Sequence, residues 1–384
     1  MVGRRRLAIG AFAALASLGL SLGTTAGAAP PAPTTDNALQ NKAITTLDTW
    51  ATWLKDNKVD GFVGEVGWPY DDARWLPIAH AYYDRAAQHK MSVTTWVTGE
   101  WAGGHQLANF RRAVDTGWQY TTTGSSDVME AHPGTRKTPN GVNITGPDMG
   151  APAVDPTHTF SNQNVGILDQ TYHYDDASSM AFLASHNMKL VRMPFRWERI
   201  QRTPFGPLDP DELARYQAQV RAAGAAGMTV VLDMHNFGSY YLHDGTQGVR
   251  KTIGSPEVPI SAFADVWTKL SVAFASEPAV VGLGLMNEPA WMPSTQDLPA
   301  AKLWEQASQA AVDAIRATGD ERTIMVGGYD WSGMKFWAVH HPVSWINDPA
   351  RNFMYEAHQY WNSNNSGVYM SYEQELAAAQ AQGY

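Results

Sequence analysis

Two glutamates stand at the ends of apolar runs, one in GFVGEVGWP (residues 61–69) and one in VGLGLMNEP (281–289). Glu65 is flanked by Gly64 and by Val66-Gly67, and Glu288 follows a nearly uncharged run and precedes Pro289. An ionisable group in such a place is costly to bury unless it is partnered. The ends of other apolar runs offer partners: Arg192 in KLVRMPF, His235 and Asn236 in TVVLDMHN, Asn287 beside Glu288, His358 and Tyr360 in FMYEAHQYW, and Trp96 in SVTTWVTGEW. Two carboxyls with an arginine, two histidines, asparagines, a tyrosine and a tryptophan form an inventory for hydrolysing a glycosidic bond with a carboxylate pair. Each residue also has a plainer reading. Glu288 can cap or pair with a cation, Arg192 can be a structural counter-ion, and a single histidine at a strand end is often just a hydrogen-bonded polar residue.

These residues need a frame that brings them together. From Gly141 onward, short apolar runs alternate with helical patterns. The strand candidates are GVNITG (141–146), KLVRMPF (189–195), TVVLDMHN (229–236), VVGLGLMNE (280–288), TIMVGGYD (323–330) and FMYEAHQYW (353–361). Rich in Val, Ile, Leu and Met without clean alternation, they read as strands covered on both faces of a parallel sheet. Helices lie between them. Asp209 is a good N-cap, Pro210 fits the first helical position, Glu212 matches a capping box, and Leu213, Tyr216, Val220 and Ala223 repeat at helical spacing up to Gly227. Six strands do not close a barrel, but two more units precede them. A helix marked by Ile44, Leu47, Ala51 and Leu54 leads into GFVGEVGW, and a helix around 76–87 leads into SVTTWVTGEW. The expectation is therefore an α/β fold, a (β/α)8 TIM barrel, circularly permuted so that the seventh and eighth βα units (41–105) precede the first six strands (140–384). The polar stretch 106–139 serves as connector. Barrel ends lie close together, so such rewiring is physically cheap. A separate small N-terminal module is the competing arrangement, and it would leave parallel edges unpaired. In a barrel of this kind the chemistry sits at the C-terminal ends of the strands, which gathers the residues above at one mouth. Alternation puts Glu356 on the side of His358, deeper in the barrel and paired with an arginine. Glu100 falls beyond its strand end, within reach of substrate.

The chain of 384 residues opens with a basic head, MVGRRR, an apolar stretch and Ala26-Gly27-Ala28. That is the pattern of a secretory signal peptide over residues 1–28, with a Pro/Ala/Thr-rich spacer over 29–40. Secretion, with no membrane partner after cleavage, follows as the expectation. Cysteine is absent, which excludes disulfides, thiolate metal sites and thiol nucleophiles. The net charge of −9, with no basic block in the mature chain, argues against a nucleic-acid partner. The 12 histidines show no His-x-x-x-His pair with a glutamate, so no metal and no cofactor is expected. Many of the 15 tryptophans neighbour Gly, Pro or Asn, as suits either a large core or faces for sugar rings. The expected partner is a polysaccharide and the expected state a monomer.

The stretches VRMPFRWERIQ, VVLDMHNFGSYY, GLMNEP, YEAHQYW and GEVGWP resemble those of glycoside hydrolase family five, the cellulase-like retaining β-glycosidases. The resemblance covers nearly the whole mature chain apart from the connector, and Asn-Glu-Pro is its most specific motif. One departure stands out: the family has its Gly-Glu motif after Asn-Glu, whereas here it comes first. The resemblance implies that Glu288 is the general acid/base and Glu65 the nucleophile, about 5–5.5 Å apart as retention requires. It further implies that Arg192 and Tyr360 keep Glu65 ionised and that Asn287 meets the sugar 2-hydroxyl. His235, Asn236 and His358 would position Glu288 or the sugar, and Trp96 would floor the site. Trp331, with Trp291, Trp361 and Trp68, is placed along the cleft. The implied activity is that of a secreted endo-β-1,4-glucanase. A β-mannanase, an exo-β-1,3-glucanase and an inactive carbohydrate-binding barrel are the alternatives.

Overall fold

Eight parallel strands close on themselves, and each follows an apolar run of the sequence. They are β1 (Asp60–Val66), β2 (Ser92–Thr98), β3 (Gly141–Ile144), β4 (Leu190–Phe195), β5 (Thr229–Met234), β6 (Val280–Gly284), β7 (Thr323–Gly327) and β8 (Phe353–Gln359). The computed structural model describes residues 37–117, 119–361 and 369–384. The stretch read as a signal peptide, 1–28, and the spacer up to residue 36 lie outside the described residues.

The strands run round the barrel in chain order, and β1 closes it by pairing with both β8 and β2. Residues 60–98 are thus part of the barrel wall, which rules out a separate N-terminal module. Helices α1 (Asn37–Asn57), α2 (Leu76–Gln88), α3 (Gly124–Ala131), α4 (Ala177–Ser185), α5 (Pro210–Ala225), α6 (Ile260–Ala273), α7 (Ala300–Ala317) and α8 (Tyr372–Ala381) cover the outside. Between β7 and β8 two short turns, Met334–Phe336 and Trp337–His340, stand in place of a longer helix.

Two stretches and one helix cap differ from the sequence reading. Helix α1 starts at Asn37, inside the stretch taken as spacer, because Leu39 and Ala43 already bury against the barrel. The stretch 106–139 is more than a connector. It holds a two-stranded ribbon (Phe110–Arg111 with Thr121–Thr122) and α3, whose Thr123 and Ser126 side chains cap each other's backbone N–H groups. Its Ser and Thr content marked a helix start rather than a loop. At α5, Asp209 caps the N–H groups of Asp211 and Glu212 as expected. Glu212 does not complete the capping box; its carboxylate accepts from Tyr172 and Tyr174 instead.

The barrel interior is layered. Phe62, Leu190, Val231 and Met325 form an apolar cluster of their own, joined by Met354. Two residues further along their strands, the same inward face carries Arg192, Asp233 and Glu356, and Arg192 pairs with both carboxylates. The period of two along a strand makes both layers inevitable once one is fixed.

Candidate active site

Glu65 owes its position to an irregularity. On β1, Val63 lies opposite Ala357 and Glu65 opposite His358, so the register slips by one residue at Gly64. Regular alternation from inward-facing Phe62 would turn Glu65 out of the barrel; the bulge aims it in. Gly64 is required there for space, since a Cβ would lie 2.1 Å from Glu356 Oε1.

Arg192, 1 % exposed, is the hub. Its Nη1 donates to Glu65 Oε1 at 3.0 Å and Asn143 Oδ1 at 2.9 Å. Its Nη2 reaches Asp233 Oδ1 at 2.8 Å, Glu356 Oε1 at 2.8 Å and Asn287 Oδ1 at 2.7 Å. Tyr360 donates its hydroxyl to Glu65 Oε2 at 2.6 Å. His358 lies between three carboxylates: Nδ1 is 2.8 Å from Glu288 Oε1 and 3.5 Å from Glu65 Oε2, and Nε2 is 3.1 Å from Glu356 Oε1. Glu65, Glu288 and His358 each bring one atom within 4.8 Å of the other two. The two glutamates therefore face each other across the mouth, 223 residues apart in sequence.

His235 places Nδ1 2.8 Å from Asp233 Oδ2 and Nε2 3.2 Å from Asn287 Nδ2. Trp96 stacks on its ring, with centroids 5.7 Å apart and planes 19° from parallel. Asn287 thus spends its Oδ1 on Arg192 and faces His235 with its Nδ2, which has a second N–H for a further acceptor.

Burial pushes the Glu65 carboxyl above its ordinary value; Glu288 adds to this, while His358 and Arg192 oppose it. Burial alone would lower His358, but Glu65, Glu288 and Glu356 outweigh it and push it up to about 10. Glu356 is equally buried, yet Arg192 and His358 hold its carboxyl below the usual range. The two glutamates differ because Glu65 faces another carboxylate and Glu356 is enclosed by cations. Both ring nitrogens of His358 face carboxylate oxygens, an arrangement that holds two protons on the ring.

Above the hub the loops after β5, β6 and β7 carry an aromatic wall. Trp331 packs against Phe237 and Trp291 with ring centroids 5.7 and 5.5 Å away. Trp291 is 43 % exposed. Phe237, Glu288, Trp291 and Trp331 all adopt positive φ (53°, 45°, 61° and 62°). Left-handed non-glycine residues are uncommon and tend to cluster at functional sites.

Other expectations are corrected. Asn236 does not face the mouth: its Oδ1 accepts from the Trp197 N–H, and its Nδ2 donates to Glu198 Oε2 and the Ser239 carbonyl. Trp68 and Trp361, 2 % and 1 % exposed, are core residues packed on Tyr82 and Trp75. Glu100 is withheld from substrate by Arg112, His173 and Ser179, at 2.5, 3.1 and 2.6 Å, and is held down to about 2 despite its burial. Sequence reasoning missed Asp233, Asn143 and Tyr369. Asp233 was findable, because alternation places it on the face of His235. Asn143 gave a weaker signal, as one polar residue inside GVNITG. Tyr369 lies outside every apolar run and meets the site only through the fold, with its ring 5.7 Å from that of Tyr360.

Fold and site together define a (β/α)8 barrel with a paired-carboxylate centre at the C-terminal ends of its strands. The sequence model described as Cellulase (glycosyl hydrolase family 5) matches residues 152–382, and the chain belongs to that family. The endo-beta-1,4-glucanase A of Emericella nidulans is 30% identical over 206 residues, covering 53% of this chain and 57% of its own length. The manganese dependent endoglucanase Eg5A of Phanerodontia chrysosporium is 27% identical over 219 residues, 55% of this chain and 53% of its own. The matched stretch thus spans little more than half of these curated relatives. Among solved structures, Pseudomonas stutzeri endoglucanase Cel5A in complex with cellobiose superposes with a TM-score of 0.50 at 35% identity, covering 60% of this chain and 62% of that one.

Proposed function

We propose that the chain is a retaining endo-β-1,4-glucanase that acts by double displacement. The observation that carries this is the pair Glu65 and Glu288, with carboxylate oxygens within 4.8 Å. That spacing suits a covalent intermediate and falls short of the wider carboxyl separation that inversion uses. Glu65 has the partners of a charged nucleophile, namely Arg192, Tyr360 and His358. In the first step a Glu65 oxygen bonds to the anomeric carbon, the glycosidic C–O bond breaks, and Glu288 gives its proton to the leaving oxygen. In the second, water attacks the same carbon, Glu288 takes the water's proton, and Glu65 leaves as a carboxylate. The free N–H of Asn287 is directed at the sugar 2-hydroxyl, and Trp96, braced on His235, floors the reacting ring. Trp331 and Trp291 line the aglycone side.

Similarity to relatives named endo-beta-1,4-glucanase and to a structure holding cellobiose supports β-1,4-glucan as substrate. A circularly permuted barrel is part of the same reading. The family match begins at residue 152, so it includes Arg192, Glu288 and His358 and leaves out β1 and β2 with Glu65 and Trp96. Counting round the closed wall, Glu65 stands three strands beyond Glu288 (β6, β7, β8, β1), the step from a fourth to a seventh strand. The signal-peptide pattern of residues 1–28 supports export, and sequencing the N-terminus of the secreted protein checks it.

Reducing-end assays on cellulose, mannan and mixed-linkage glucan with Glu65→Gln and Glu288→Gln test the proposal. The expected result is β-1,4-glucan hydrolysis that both variants abolish, with a β-anomer released first. Full activity in Glu65→Gln, or an α-anomer first, overturns the assignment; preference for mannan overturns the substrate.

A further inference from the structure

Glu356 is buried beneath the proposed catalytic pair, touches no open space, and takes no part in the double displacement. Yet it holds two cations at once, Arg192 Nη2 at 2.8 Å and His358 Nε2 at 3.1 Å, both through Oε1. The chain is also shaped to admit it, since Gly64 leaves open the volume where a Cβ would strike that carboxylate. We propose that Glu356 is a positioning residue that holds His358 as a doubly protonated imidazolium, so that one fixed cation accompanies the negative charge as it moves from Glu65 to Glu288. The proposal rests on the assignment of those two glutamates as nucleophile and acid/base.

The charge balance of the first step explains why such a cation is useful. Before reaction the pair carries one negative charge, on Glu65, and one proton, on Glu288. Once the glycosyl ester has formed, Glu65 is neutral and Glu288, its proton given away, is the anion. The charge has crossed the mouth with no change in its total. His358 Nδ1 sits where it serves both ends, 3.5 Å from Glu65 Oε2 and 2.8 Å from Glu288 Oε1. A neutral imidazole protonated only on Nε2 would present a lone pair to Glu288 and lose this function.

The electrostatic surroundings support the imidazolium. Facing His358 are Glu65 from β1, Glu288 from the loop after β6, and Glu356 from its own strand, with Arg192 of β4 shared between Glu65 and Glu356. Behind Arg192 stand Asp233 and His235, and the Tyr360 hydroxyl closes the far side of Glu65. Of these carboxylates, Glu65 and Glu288 each lose their charge at some stage of the cycle. Glu356 is the one in contact with the ring that keeps its charge throughout.

The test is Glu356→Gln, which keeps shape and an acceptor oxygen and removes only the charge. Two readouts separate positioning from scaffolding. The alkaline limb of the pH profile of kcat/KM is expected to move to lower pH, because His358 gives up its second proton sooner. The His358 imidazole, followed by nitrogen NMR and assigned by its loss in His358→Asn, is expected to titrate at lower pH than in the parent. At the parent optimum, kcat falls by up to about 100-fold. In the second variant, Gly64→Ala, the new methyl displaces the Glu356 carboxylate. The same acid shift is expected, and Gly64→Ala combined with Glu356→Asp reverses part of it by restoring charge and room. An unmoved pH profile with an unmoved His358 titration in folded Glu356→Gln overturns the proposal. Retention of activity by Glu65→Gln instead overturns the site assignment on which it rests, so the two failures are distinct.

Discussion

Leu190 and Arg192 sit two residues apart on β4, both facing the barrel interior and both almost fully buried. Leu190 meets Phe62, Val231 and Met325 and needs nothing more than contact. Arg192 meets Glu65, Asp233, Glu356, Asn143 and Asn287 and needs every one of them. The lower layer gains from removing apolar surface from water, whatever the direction of approach. The upper layer carries buried charges whose desolvation is offset only by close, directed partners. One barrel thus keeps an indifferent plug at its base and a sensitive charge lattice at its mouth, and the site is built in the sensitive part.

This contrast is open to direct attack. The largest effect is expected from Glu65→Gln, which leaves the lattice standing and removes the proposed nucleophile; kcat should fall by about 10⁴-fold or more, with little change in thermal stability. Activity near the parent level breaks the functional half of the comparison. Next comes Arg192→Met. It strands Glu65, Asp233 and Glu356 without their shared cation and should cost about 3–5 kcal/mol in denaturant unfolding. The sign of its pH dependence is diagnostic. Stranded carboxyls take up protons more readily when folded, so the deficit should shrink in acid and grow as pH rises.

At the base, Leu190→Ala should cost about 2–5 kcal/mol, independent of pH and without effect on kcat at a temperature where the protein stays folded. A pH-dependent deficit there would mean the two layers are coupled. A smaller effect involves His358. Its carboxylate neighbours raise it from 6.5 to about 10, so its stabilising contribution is complete below 6.5 and is lost as pH rises to about 10. Unfolding measured from pH 6 to 10 should show that decline, and it should vanish in His358→Asn. The smallest change is expected from Trp291→Ala, at the exposed edge of the aromatic wall. Loss of its ring contact should weaken oligosaccharide binding by about 1 kcal/mol, raising KM and leaving stability unchanged.

The reach of the sequence follows the same division. All eight strands were legible because each is a short apolar run, and a run buried on both faces betrays itself without knowledge of its neighbours. The ionisable residues at the run ends were legible for a related reason, since a charge beside buried strands is expensive and so implies a use. What failed depended on direction. Asn236 is as polar and as close to a strand end as His235, yet it turns inward to Glu198 and the Ser239 carbonyl. Trp68, between Gly67 and Pro69, and Trp361, before Asn362, read from their neighbours as cleft residues but are sealed by Tyr82 and Trp75. Glu100 was judged by its distance past the strand, whereas Arg112, His173 and Ser179 settle its fate.

On its own, then, the amino-acid sequence determined the barrel, its eight strands and the identity of the two facing glutamates, because periodicity and the cost of buried charge are local properties. Only the tertiary structure decided how the site is wired. The slip at Gly64 reverses the alternation that would have sent Glu65 outward. The five partners of Arg192 come from β1, β3, β5, β8 and the loop after β6. The partition of His358 among three carboxylates follows from closure of the wall at β1 and β8. Such contacts depend on angles and distances between residues on different strands, such as Glu65 and Arg192, 127 positions apart, and no local pattern in the chain encodes them.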